Sequence, residues 1–194
     1  MEYQATPALA DDQLIQYYLN GDPAALETLV YLNKDKIYKS IYSMVQDKHL
    51  ADDIFQDVFI RIIDNLIAGR YVEEGKFLPW AMRIAHNMCI DHFRKVKQTP
   101  LLRTKDDFTE VIKYNEPDVS QSIMNHESHN QLRRMIDMLP DEQREVIVLR
   151  HYADLSFKEI ADVMKCNINT ALGRMRYALN NLRRIMEEKQ VAIY

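Results

Sequence analysis

The chain of 194 residues is 47% hydrophobic and carries a net charge of -4, from 25 basic and 29 acidic side chains. That much apolar material can bury one large core or two small ones, which excludes a disordered chain. With four glycines, six prolines and apolar residues recurring at helical rather than alternating spacing, the sequence reads as all-α.

Net negative charge argues against nucleic-acid binding by bulk electrostatics, but the charge is divided along the chain. Residues 1–97 carry 11 basic and 14 acidic side chains, 98–127 carry 3 and 6, and 128–194 carry 11 and 9. The N-terminal "MEYQATPALADDQ" has neither a basic n-region nor an apolar h-region, and no apolar run approaches a membrane span. A cytoplasmic location without direct membrane insertion is expected. Cys89 and Cys166 have no CxxC spacing, so both are expected to be small buried apolar groups.

In chain order, the first helical start is "NGDPAALETLV", where Asp22 can cap and Pro23 fills the first helical position. This helix is expected to run from about Pro23 to Met44. A second, over 51–66, aligns Ala51, Ile54, Phe55, Val58, Phe59, Ile62, Ile63 and Leu66 in one stripe. Its other face holds Asp52, Asp53, Gln56, Asp57, Arg61 and Asp64. Carboxylates so crowded repel one another, and a basic partner or solvent must cover them.

A third helix, from about Phe77 to Val96, gathers Trp80, Arg83, Asn87, Asp91 and Arg94 on one face, with Ala81, Ile84, Ala85 and Met88 toward the core. An aromatic ring beside guanidinium and amide groups suits unstacked bases of a single strand, although a tryptophan there also suits the core. His86, Cys89 and His92 sweep across about 120° of this helix and cannot face one tetrahedral ion. No metal or cofactor is expected. The stretch that follows, with Pro100, Pro117 and an acidic excess, reads as a tether over 99–127.

From about Ser128 periodicity returns in four short helices. Ser156 and Glu159 form a capping box that opens a helix of about nine residues ending near Lys165. Asn167 caps the next helix after a short turn, which is the pattern of a helix-turn-helix. On this second helix Ala171, Met175, Ala178, Leu179 and Leu182 fall on one side. Gly173, Arg176, Tyr177, Asn180 and Arg184 fall on the other, with Arg174 and Arg183 at the borders. No acid occurs from Val163 to Met186. A solvated amphipathic helix ordinarily mixes acids with its bases, whereas a helix entering a major groove must keep carboxylates away from phosphate.

Five phrases in order carry a family resemblance: "GDPAALETLV", "DDIFQDVFIRI", "FLPWAMRIAHNMCIDHFRK", "LPDEQREVIVLRHYADLSFKEIADVM" and "NTALGRMRYALNNLRR". They resemble the successive conserved regions of the extracytoplasmic-function (ECF) group of the bacterial sigma-70 family, RNA polymerase initiation factors. The resemblance implies sigma region 2 over residues 1–98, a flexible linker over 99–127, and sigma region 4 over 128–194. It implies no catalytic residues, and as partners core RNA polymerase (clamp helices and flap region), promoter DNA and an anti-sigma factor. Asp53, Gln56 and Asp57 are then the polymerase contacts. Tyr71, Lys76, Trp80, Arg83, Asn87 and Arg94 are the minus-10 contacts, with Asp91 structural.

For the minus-35 element the resemblance points to Asn169, Thr170, Gly173, Arg174, Arg176, Tyr177 and Arg184. The family phrase commonly has Lys or Arg and then Ser where this chain has Leu172 and Gly173. That departure shifts the expected contacts toward Arg174, Arg176, Tyr177 and Arg184. A rival reading is a stand-alone helix-turn-helix regulator that dimerises through residues 1–97 and binds a palindrome unaided. A hydrolase built on His86 or His92 lacks a nucleophile and base at workable spacing.

Overall fold

The computed structural model describes residues 11–72, 76–98 and 131–189, so the expected 99–127 linker lies outside the described residues. The fold is all-α. Helix α1 (Asp11–Leu19) precedes the first expected helix and buries Leu14 and Ile15. With one short apolar patch it has too few turns to show periodicity.

Helix α2 (Pro23–Val45) opens as its sequence predicts, Asp22 accepting a hydrogen bond from the Ala24 amide at 3.0 Å with Pro23 in the first turn. It ends at Gln46, whose φ of 54° is left-handed and whose amide returns to the Tyr42 carbonyl. Helix α3 (Lys48–Ile67) starts earlier than its stripe suggests because Asp47 caps the Leu50 amide at 2.9 Å. Ala51, Ile54, Val58, Ile62 and Leu66 are buried, while Phe55, Phe59 and Ile63 lie half-buried at the stripe's edges. Helix α4 (Phe77–Gln98) buries Phe77, Ala81, Met82, Ala85 and Cys89.

After a helical segment at 131–137 come α5 (Asp141–His151), α6 (Phe157–Val163) and α7 (Ile168–Glu188). The last is 21 residues long, not short, because its apolar row continues through Ile185. Leu179, expected on the buried side, is instead 41% exposed. It sits at the margin of the row formed by Ala171, Met175, Ala178, Leu182 and Ile185.

Helices α1 to α4 pack on one another, and so do α5, α6 and α7. The two groups also meet, α2 lying against α5 and α4 against α6. Arg144, 4% exposed, centres the first contact. Its Nε donates to the Ser43 carbonyl at 2.6 Å, its NH1 to the Asp137 and Leu139 carbonyls at 3.2 and 3.0 Å, and its NH2 to Asp141 Oδ1 at 2.7 Å. Ser43 lies in the last turn of α2, where carbonyls have no intrahelical partner and the helix dipole favours a cation. One guanidinium thus caps α2 from the other helix group.

Candidate polymerase and nucleic-acid interfaces

The acidic face is built on α3, whose buried stripe fixes the rotation of the helix. Asp53, Gln56, Asp57 and Asp64 are exposed. Asp52 is turned inward enough for its Oδ1 to accept from the Tyr38 hydroxyl at 2.7 Å. Among the outward acids lie Ile60 and Ile67, 59% and 65% exposed, on the same side as Asp53, Asp57 and Asp64 by helical spacing. Sequence reasoning missed both isoleucines, although Ile60 stands out as the one apolar residue of "DVFIRI" that the core stripe does not use. A rim of carboxylates around apolar side chains can grip a basic protein surface by both charge and burial.

The second surface begins where α4 starts. Tyr71 packs edge-on against Trp80, centroids 5.0 Å apart, and both rings meet Phe77 at 6.3 and 5.9 Å. The Tyr71 hydroxyl donates to Asp12 Oδ1 at 3.2 Å. Burial, then the neighbouring Asp12 charge and this hydrogen bond, push its pKa far upward, so it stays a neutral donor. The same α1 turn holds Asp11, raised by burial against an opposing side-chain hydrogen bond from Asn33. Trp80, Arg83 and Asn87 are half-buried and share a face, Lys76 is exposed, and residues 73–75 of the expected loop lie outside the described residues. Arg94 is exposed 3.5 Å from Asp91, which is exposed too.

Neither histidine of α4 is near a cluster able to hold a metal among the described residues. His86 instead shares a 2.5 Å hydrogen bond through Nδ1 with Glu145 Oε1 of α5, the side chains being 11% and 8% exposed. Cys89, on the same side, is pushed up to about 12 by burial and by the Glu145 charge, so it remains a thiol. Helix α6 also lies on α4. Its capping carboxylate Glu159 would be raised by burial, yet hydrogen bonds from the Ser156 side chain and backbone, with the Lys76 charge, lower it. The buried pair Arg144–Glu145 was not singled out in the sequence, because adjacent charges after a helix start read as a solvated first turn.

The third surface is the helix-turn-helix. Ser156 and Glu159 make both hydrogen bonds of the capping box, at 3.3 and 2.8 Å. The turn uses Lys165 at φ 50°, and the Cys166 amide closes on the Ala161 carbonyl at 2.9 Å. Asn167 then caps α7 through the Asn169 amide at 2.8 Å. Asn169, Thr170, Arg176, Tyr177 and Arg184 are exposed. Nothing lies within 4 Å of where a Cβ on Gly173 would stand, so the helix is notched there. Arg174 points the other way, its NH2 2.8 Å from Glu142 Oε1 of α5, and Asn181 on the same flank donates to Gln143 at 2.7 Å. Arg184 lies 3.8 Å from Glu188, both well exposed.

Comparison with known proteins places most of these residues within two family models. Residues 29–99 match sigma-70 region 2 and residues 129–180 match sigma-70 region 4. The chain is 31% identical over 180 residues to the ECF RNA polymerase sigma factor SigW of Bacillus subtilis, covering 90% of this chain and 95% of that relative. It is 28% identical to the RNA polymerase sigma-H factor of Pseudomonas aeruginosa, covering 85% and 88%. In fold it is similar to CnrH in complex with the cytosolic domain of CnrY (TM-score 0.64, 20% identity, 93% of this chain and 99% of that chain). It is likewise similar to RpoE of Bartonella quintana in complex with the anti-sigma factor NepR (TM-score 0.65, 18% identity, 84% and 96%).

Proposed function

Because this chain belongs to the extracytoplasmic-function group of the sigma-70 family, transcription initiation factors that bind core RNA polymerase and promoter DNA, we propose that its three surfaces divide the work of promoter selection. Residues 1–98 act as region 2 and 128–194 as region 4, joined by the 99–127 linker. Asp53, Gln56 and Asp57, with Ile60 among them, dock on the polymerase clamp helices. Tyr71, Lys76, Trp80, Arg83, Asn87 and Arg94 hold the opened minus-10 strand, and region 4 engages the flap region and the minus-35 duplex. Catalysis belongs to the polymerase and none to this chain. Stabilising an unpaired base repays an unstacking cost of a few kcal/mol, and that is where α4 contributes to opening.

The observation that carries this reading is the outward placement of opposite charges on separate helices: Asp53 and Asp57 on α3, Arg176 and Arg184 on α7. Arg174 would have to leave Glu142 to reach DNA, which narrows the minus-35 set to Asn169, Thr170, Arg176, Tyr177 and Arg184 around the Gly173 notch. The likeness to CnrH and RpoE in complexes supports an anti-sigma factor as a further partner. Asp53→Lys with Gln56→Ala tests the docking face: the doubly substituted protein keeps its fold by circular dichroism and no longer co-purifies with core polymerase. Unchanged co-purification would refute the clamp assignment.

A further inference from the structure

Helix α7 has two flanks, and they differ in chemistry. Arg174 and Asn181 turn toward α5 and are occupied by Glu142 and Gln143. Roughly 140° round the helix, at 100° per residue, lies the opposite edge, with Ile168, Leu172 and Leu179. These are 43%, 43% and 41% exposed, in a helix whose buried row has no place for them. Ile168, Leu172 and Arg176 follow one another at four-residue spacing, so two apolar side chains and a cation form one ridge.

Single exposed leucines are ordinary. This one stands in the N-terminal half of the second helix of a helix-turn-helix, the part that meets base edges when such a helix enters a major groove. It adjoins the notch at Gly173, where no neighbouring side chain stands between backbone and ligand. Exposed Asn169 and Arg183 lie on the same side of the helix as the ridge, and no acid occurs between Val163 and Met186, so the complementary occupant is polyanionic rather than an acid-tolerant protein groove. The one apolar group that duplex DNA displays in the major groove is the thymine 5-methyl.

We propose that Leu172, supported by Ile168 one turn earlier, is a specificity-determining residue that reads thymine methyl groups in the minus-35 element. The inference rests on α7 being the minus-35 reader. It replaces charge with shape at the position where the family phrase has Lys or Arg. Leu172 then contributes base preference and little to the salt dependence, which stays with the arginines.

The test uses the full-length protein with core polymerase, on a promoter selected from a randomised library. Each thymine of its minus-35 element is replaced singly by deoxyuridine, which deletes only the methyl. Wild-type holoenzyme should bind about fourfold more weakly at one or two positions, the equivalent of leaving one methyl-sized group in water. Leu172→Ala should lose a similar factor on the thymine duplex and then be indifferent to uridine, whereas Leu172→Met should retain the discrimination. Indifference of the wild-type protein to every uridine, an undiminished uridine effect in Leu172→Ala, or a selected element without thymine would overturn the proposal. Arg176→Ala and a scrambled minus-35 element separate the two levels: if neither weakens binding, α7 is not the reader and the parent reading fails first.

Discussion

Arg144 shows how much one side chain can settle. Its guanidinium donates to three carbonyls from two helix ends and to Asp141, a set that only a planar fork can satisfy at once. Truncation to Met strands those carbonyls in a buried place without leaving a buried charge, since Asp141 is 91% exposed. Urea denaturation of Arg144→Met should therefore show a loss of about 2–4 kcal/mol, with Arg144→Lys between it and wild type. A change within about 0.5 kcal/mol would mean that Arg144 only decorates the contact between the helix groups. In the sequence this residue was one more charge in "PDEQRE"; its burial depends on where α2 ends, which no local pattern around position 144 encodes.

Local signals did specify the elements whose ends are capped by their own neighbours. Asp22 with Pro23, Ser156 with Glu159, and Asn167 each open a helix where the sequence places them. Elements defined by partners elsewhere were harder to read: α1 is held by Leu14 and Ile15 against the core. The half-buried state of Tyr71 and Trp80 likewise follows from their ring contacts with each other and with Phe77, not from helical spacing alone. The capping box of α6 carries its own prediction. Ser156→Ala should cost about 1 kcal/mol at neutral pH by urea denaturation. Glu159 is held below the ordinary value of 4.5, so its stabilisation is present above that pH and fades as pH falls through the lower folded value. Ser156→Ala should accordingly flatten this part of the acid limb; equal acid limbs in the two proteins would show that the box does not hold the carboxylate.

At the scale of the molecule, α3 turns acids outward and α7 turns bases outward, while Arg144 and the His86–Glu145 pair join the two helix groups from inside. The acid-free stretch that the sequence displays becomes the exposed side of α7, and the acidic stretch becomes the exposed side of α3. Between them, His86–Glu145 and Arg144 join α4 to α5 and α2 to α5, and α4 also packs against α6. Charge sorting was legible because it needs only helical periodicity. The contact between the groups was not, because residues 59 and 101 positions apart meet there. A repressor-like dimer would need one DNA-binding surface and a self-complementary face; an initiation factor needs a docking face of the opposite sign. Run-off transcription by purified core polymerase on a promoter library separates the two most directly. The account predicts promoter-specific transcripts only when core enzyme and this protein are combined, and their loss with Asp53→Lys and Gln56→Ala. Nanomolar binding to a palindromic duplex without polymerase, together with no promoter-specific transcript from the combined proteins, would contradict it.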